Sequence, residues 1–277
     1  MKKMIKNNKR IFDLYVKIMT IKYIISIWFC KFSKYYIKSI DKIKKIKNVH
    51  NNQRCFIIGN GPSLRIADLE KLKDEVTFAT NMIFSIFDET SWRPTYYISQ
   101  DLKAVEELYQ NMYNEDIFDE IGADIIFLPI DVKKIKIKYD KRFTYFYINR
   151  KKTYPKPPNF SSNILKKVDE GFTVTYTAMQ IAAYMGFKEI ILLGVDHNYS
   201  KVISPSGDII HNNCVKDHFS DNYKRNSNGN LPNLYASELA YKSAMNYAIR
   251  NNIKILNATR GGKLEIFDKI DFDIIKN

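Results

Sequence analysis

The polar residues of this chain that could do chemistry sit at the ends of short apolar runs. Phe56-Ile57-Ile58 leads into Gly59-Asn60-Gly61-Pro62-Ser63. The run 76–80 ends at Asn81, and the run 95–98 ends at Ser99-Gln100-Asp101. Ile190-Ile191-Leu192-Leu193 ends at Gly194-Val195-Asp196-His197, and 253–256 ends at Asn257-Ala258-Thr259 with Gly261-Gly262 close behind. Two glycines without a Cβ let backbone approach a ligand closely, and Pro62 suits the first position of a helix. Strand, glycine turn and helix start together offer free N–H groups and a positive dipole end to an anion. Asn60, Asn81 and Asn257 each carry a donor and an acceptor, Ser63 adds a hydroxyl, and Gln100, Asp101 and Asp196 add polar groups. Any one of these residues is more often a helix or turn cap. Five such strand ends meeting in one crevice suit a nucleotide at the edge of a doubly wound sheet.

Proton transfer needs a group near neutrality, which points to histidine. His50 reads as solvated. His197 directly follows an apolar strand, and His211 and His218 lie in a long polar stretch. His218, in Asp217-His218-Phe219, is the candidate general base for an acceptor hydroxyl. Cys30, Cys55 and Cys214 are too widely spaced for a zinc site or a disulfide framework, so no metal site is expected. No Walker lysine follows the glycines, which disfavours ordinary P-loop chemistry. Asp271-Phe272-Asp273 is an Asp-x-Asp string in a plain alternating stretch and reads as surface.

The elements that must position these residues alternate. Strands are expected near 55–58, 76–80, 95–99, 125–128, 189–194 and 253–256, the last being the final strand. Helices are expected near 64–72, 104–112, 174–185 (closed by Gly186) and 234–250. Residues 132–170, rich in Lys, Tyr and Pro, read as an excursion or flap, and 199–232 as a mobile loop or lid. The fold class is α/β: a Rossmann-like, mostly parallel doubly wound sheet with a long lid-like insertion and an N-terminal helical arm.

Of the 277 residues, 1–50 form the arm and 51–277 the nucleotide-binding body. The formal charge of +14 is concentrated in the arm, where 14 Lys/Arg face Asp13 and Asp41 for a net +12. The body carries the other +2, which argues against nucleic acid as a partner. The apolar piece around Trp28 and Phe29 is interrupted by lysines. It is too short to span a bilayer and lacks a signal-peptide cleavage site. A basic helix with Trp and Phe suits peripheral contact with an anionic membrane face. The competing uses are packing on the body and a homo-oligomer contact. The cysteine usage implies a reducing, cytoplasmic compartment.

The strings Ile57 to Leu64, Asn81, and Gly186-Phe187-Lys188-Glu189-Ile190 through Asp196 resemble two related groups. One is the bacterial sialyltransferases that use a cytidine-monophosphate sugar. The other is the 6-hydroxymethylpterin diphosphokinase MptE-like domains, which Asn257-Ala258-Thr259 with Gly261-Gly262-Lys263-Leu264-Glu265 resembles more. The resemblance spans about residues 54–268 and omits the basic arm. The sialyltransferase resemblance implies inverting transfer without a required cofactor. It would put Asn60, Gly61 and Ser63 at the nucleotide, Asn81 near sugar or phosphate, and Thr175 in place of a substrate-holding Ser/Thr. His218 would be the base. Those enzymes place tyrosines at the departing phosphate. Here the first is out of register, and Tyr199 or Tyr223 stands for it.

The expected function is therefore glycosyl transfer from a CMP-activated, sialic-acid-like donor to a surface glycan or glycolipid. The alternatives are a pyrophosphokinase using ATP and Mg²⁺ on a pterin-type hydroxymethyl group, and a nucleotide-binding domain without turnover. Asp101 and Asp196 would serve the Mg²⁺ of the second.

Overall fold

The computed structural model describes residues 17–18, 21–22, 25, 27–101, 105–106, 117–134, 139–151, 153–212, 214–220 and 231–275. Along the chain come α1 (Lys34–Lys45), β1 (Arg54–Ile58), α2 (Ile66–Glu70), β2 (Thr77–Thr80), β3 (Tyr96–Ile98), α3 (Ile117–Ile121), β4 (Ile125–Pro129) and β5 (Phe143–Phe146). The second half adds β6 (Ile148–Asn149), β7 (Val168–Asp169), α4 (Val174–Met185), β8 (Glu189–Leu193), β9 (Lys201–Ile203) and β10 (Ile209–His211). It closes with α5 (Leu234–Arg250), β11 (Lys254–Asn257) and β12 (Asp268–Lys269).

Eight strands form one parallel sheet in the order β12-β11-β8-β1-β2-β3-β4-β5. The chain starts in the middle at β1, builds outward through β5, then returns to β1's other side with β8. The crevice outside the carboxyl ends of β1 and β8 is therefore the topological switch point, where such sheets bind ligands. Both strands are apolar because both sheet faces are covered. Phe56 and Ile58 of β1 point into one core with Leu69 of α2 and Phe272. Cys55 and Ile57 point into the other, with Met179 of α4 and Ala244 of α5. This two-sided burial is the Rossmann-like arrangement that the alternation of elements predicts.

Helices α4 and α5 fall where their patterns place them. Gly186 ends α4 at φ 98°, a left-handed conformation that suits a residue without Cβ. Other expectations need correction. The stretch 132–170 is not merely an excursion: Phe143-Thr144-Tyr145-Phe146 is the sheet's edge strand, and Ile148-Asn149 pairs with Val168-Asp169 in a small second sheet. The strand after α5 is not the last, because β12 pairs outside it. In the insertion 199–232, β9 and β10 form an antiparallel hairpin. The helix expected over 104–112 lies mostly outside the described residues. Asp271-Phe272-Asp273 is not plain surface, because Phe272 is buried and Asp273 pairs with Lys71 and Arg260.

The basic N-terminal segment is integrated with the body over α1. Tyr36, Ser39 and Ile43 are buried. Ser39 Oγ accepts the Tyr145 N–H of β5 at 2.9 Å, while Lys42 Nζ donates to the carbonyls of Lys141 and Phe143. Helix α1 thus satisfies backbone groups on the open edge of the sheet, where unpaired strands otherwise invite aggregation. His50, expected to be solvated, stacks on Phe187 (4.4 Å between centroids). Its ring nitrogens lie 2.7 Å from Gln53 Oε1 and Tyr96 Oη.

Candidate functional site

The site grows from the register of β1 and β8, where Ile58 lies beside Leu193. Both strands run straight into glycines. Gly59 N–H donates to Leu193 O at 2.8 Å and Gly61 N–H to Gly194 O at 2.9 Å. A Cβ on Gly59 would lie 2.9 Å from Gly194 C, and one on Gly61 would lie 2.6 Å from Asp196 Cγ. The two glycines are needed because two loops pack backbone to backbone. Ser63 completes the lock, donating from N and Oγ to the Asp196 carboxylate at 3.3 and 2.7 Å. Burial raises the pKa of Asp196, and the two bonds from Ser63 oppose that shift.

This corrects the anion cradle expected at the first turn. The N–H groups of Gly59, Gly61, Ser63 and Leu64 are all taken by protein acceptors. Helix α2 is only five residues long and starts at Ile66, with no side-chain cap. The positive helix ends come from elsewhere. A cleft of about 460 Å³ opens at the switch point, lined by Gly59, Asn60, Gly61, Asn81, Gln100 and Asp101 together with the Gly194–Tyr199 segment. Phe172, Thr173, Val174 and Thr175 at the start of α4 line it too, as do Asn233, Leu234 and Ser237 at the start of α5. Thr173 caps α4 by accepting from Thr175 N–H, and Asn233 caps α5 by accepting from Ala236 N–H. Two long helices therefore turn their N-terminal, partly positive ends toward one cleft, an arrangement suited to an anionic group.

Most of the expected site residues meet here. Asn60 donates from Nδ2 to Thr80 O at 2.8 Å, while its Oδ1 is buried with no hydrogen-bond partner among the described residues. Asn81 adopts φ 49° and accepts from Tyr97 Oη at its carbonyl. Gln100 is buried, its side chain held by the Thr177 hydroxyl. Asp101, Thr175, Asp196, Tyr199 and His218 all line the cleft. The loop carrying His218 is tied to the first turn, because Phe219 N–H donates to Asn60 O at 3.1 Å. Asp217 accepts from the N–H and hydroxyl of Ser200, which ties this loop to the start of the same insertion.

Two expected residues are not brought to the cleft. Ser63 lies behind it, engaged with Asp196. Asn257 is buried, donating to Leu264 O at 2.9 Å and accepting Thr259 N–H at 3.0 Å, so it braces a turn. Tyr223 lies outside the described residues.

Arg150 and the pair His197–Glu238 were not singled out from the sequence as acting groups. Arg150 lines the cleft from just beyond β6. Its guanidinium grips the fully buried Asp131 at 2.8 and 3.2 Å, donates to Gln100 O at 2.9 Å, and lies 3.3 Å from Glu170. No local motif marks it, because its partners Gln100, Asp131 and Glu170 come from three separate segments. His197 adopts φ 53° and is almost fully buried against the ring of Tyr241. Its Nε2 is 3.5 Å from Glu238 Oε1, within ion-pair range but without hydrogen-bond geometry. Burial lowers the pKa of His197, and Glu238 opposes the shift less strongly.

The parallel sheet and its flanking helices define a Rossmann-like α/β protein with a cleft at the topological switch point. The family model for 6-hydroxymethylpterin diphosphokinase MptE-like proteins matches residues 32–202, more than half of the chain, and the chain belongs to that family. No curated protein matches the sequence. Among solved structures, the chain is similar to the MAf glycosyltransferase from Magnetospirillum magneticum AMB-1, with 17% identity and a TM-score of 0.49. The match covers 88% of this chain and 39% of that one, so this chain spans well under half of that protein. It is also similar to the sialyltransferase CstII from Campylobacter jejuni solved with cytidine-5'-monophosphate, with 16% identity and a TM-score of 0.48, covering 79% and 85% of the two chains. The same enzyme solved with CMP-3FNeuAc gives 14% identity and a TM-score of 0.47, covering 79% and 86%.

Proposed function

We propose that this protein is a glycosyltransferase that moves a sialic-acid-like sugar from a CMP-activated donor to a hydroxyl of a surface glycan or glycolipid. The carrying observation is the convergence of the α4 and α5 N-termini on the switch-point cleft. The leaving group of such a reaction is a nucleoside monophosphate, and fixed positive dipole ends stabilise the charge it gains. The hydroxyls of Thr173 and Thr175, with that of Tyr199, are the donors for the phosphate. The unpartnered Oδ1 of Asn60 is an acceptor suited to a ribose hydroxyl or a base amino group.

In the reaction, the acceptor oxygen forms a bond to the anomeric carbon as that carbon's bond to the phosphate oxygen breaks. The acceptor's proton passes to the imidazole of His218, and CMP departs with the bonding pair. The proposed setting is the cytoplasmic face of a membrane that carries the acceptor.

The second reading comes from the family's own description: diphosphate transfer from ATP, which requires carboxylates for Mg²⁺. Asp196 fits that role poorly, since both of its oxygens already accept from Ser63. Asp101 at the cleft wall remains as a ligand for such an ion.

Thermal shift with CMP, and with ATP in the presence and absence of Mg²⁺, separates the two. A rise in midpoint with CMP alone supports glycosyl transfer, because a ligand that binds only the folded chain stabilises it. A rise only with ATP and Mg²⁺ replaces it with the second reading. Under the favoured reading, His218→Ala lowers kcat by roughly 10²–10⁴-fold while CMP binding is kept. Unchanged turnover in that variant removes His218 from the mechanism.

A further inference from the structure

Ahead of α1 the chain exposes large apolar side chains. Trp28 is 55% exposed, Phe29 64% and Phe32 63%. They form one cluster, with ring centroids 5.2 Å apart for Trp28–Phe29 and 4.5 Å for Trp28–Phe32. Ile18, Ile21 and Ile25 are exposed as well. The spacing 18, 21, 25, 28, 29, 32 puts all six on one helical stripe. The other side of the same segment faces the body: Ile27 is 5% exposed and Cys30 packs against the core. An apolar stripe that the described residues leave uncovered is thus presented outward by a seated segment.

Lysines flank the stripe. Lys17, Lys22, Lys34 and Lys38 are exposed, and Lys31 lies over the ring of Tyr147 at 3.9 Å. Residues 1–50 carry +12 against +2 for the remainder. Charge decides between the candidate occupants. A second copy docking through the same stripe would bring a second +12 against the first, which opposes a self-complementary contact. An anionic lipid surface complements the charge, and its interfacial zone favours Trp and Phe at headgroup depth. None of the described helices is long and apolar enough to cross a membrane, so the stripe suits lying in the interface rather than spanning it.

We infer that the Trp28–Phe29–Phe32 cluster is a bilayer-insertion patch that seats this protein on anionic membranes. The inference does not depend on which nucleotide the cleft takes.

The protein supplies its own reporter. It has two tryptophans, and Trp92 is only 1% exposed whereas Trp28 is 55% exposed. The full chain is mixed with vesicles of phosphatidylcholine, with or without phosphatidylglycerol, made with brominated acyl chains that quench indoles at close range. The expected result is quenching and co-sedimentation with the anionic vesicles, weakened by salt. Trp28→Phe should abolish the quenching while leaving Trp92 emission intact. Trp28→Ser/Phe29→Ser/Phe32→Ser should lower vesicle partition by about tenfold or more, with an unchanged thermal midpoint because none of the three is buried. Three results would overturn the inference: undiminished binding of the triple variant, unquenched emission from vesicle-bound protein, or a vesicle-indifferent dimer that the triple variant splits into monomers. The single variant Trp28→Phe keeps the quenching test open even if the triple variant folds poorly.

Discussion

Asp196 is the residue on which the first two loops of the site depend. It receives Ser63 from the β1 turn and leaves no room for a side chain at Gly61. Gly61→Ala is expected to destabilise the protein by about 1–3 kcal/mol, the usual cost of overpacking, read as a lowered urea midpoint at unchanged slope. Ser63→Ala leaves a half-buried carboxylate short of its hydroxyl donor and is expected to cost about 1–3 kcal/mol. The neighbouring His197 sets a pH dependence. Its folded pKa is depressed by burial, so the unfolded chain takes up a proton first as pH falls. The stability from this group is complete above about pH 6.5 and declines as pH drops from there toward the lower folded value, with a slope of at most about 1.4 kcal/mol per pH unit. The charged or titratable groups around it are Glu238, Tyr241 and Asp196, of which Glu238 works against the depression. His197→Gln is expected to flatten the decline in thermal midpoint between pH 7 and 5. An equally steep decline in the variant would show that another group titrates.

At the scale of elements, the helix N-termini that face the cleft are those of α4 and α5, not the helix expected after the first glycine turn. The glycine turn was legible as a turn, and the bounds of α4 and α5 were legible to the residue, α4 from its apolar face and Gly186. What a sequence does not carry is which helix end faces the switch point. Gly59 and Gly61 were read as making room for a ligand, whereas the room is filled by Gly194 and Asp196, more than 130 residues away. Arg150 was invisible for the same reason: its role exists only once Gln100, Asp131 and Glu170 are brought around it. Strand β5 was hidden because Phe143–Phe146 is bordered by lysines and prolines that read as loop. The cap Thr173 allows a test at this scale. Thr173→Ala is expected to cost about 1 kcal/mol by removing the α4 cap. Because that hydroxyl also lines the cleft, the variant should weaken CMP binding as measured by calorimetry, whereas Thr173→Ser should restore both. Loss of stability with full CMP affinity would confine Thr173 to capping.

At the scale of the molecule, the division into a basic arm over 1–50 and a body over 51–277 crosses a piece of the core. Helix α1 buries Tyr36, Ser39 and Ile43, and Ile46 just after it is buried too. Its Ser39 and Lys42 bond the backbone around the β5 edge, and the following turn is held by Asn48 N–H to Tyr184 O and His50 N–H to Met185 O. Burying an aliphatic or aromatic side chain stabilises a fold by about 1.5–3 kcal/mol, so Tyr36, Ile43 and Ile46 together contribute roughly 5–9 kcal/mol. That is comparable with the entire net stability of a typical domain, about 5–15 kcal/mol. A chain started at residue 51 is therefore expected to lose cooperative unfolding and to aggregate through the uncovered β5 edge. A chain started at residue 33 keeps α1 with its Ser33 cap and, among the described residues, loses the seat of Ile27 and Cys30 and the Lys31 contact with Tyr147. It should stay soluble and unfold in a single transition at a lowered midpoint. Circular dichroism melts of the two truncations beside the full chain check this. A soluble, cooperatively folding 51–277 fragment would mean that α1 is an appendage and that the edge of the sheet stands without it.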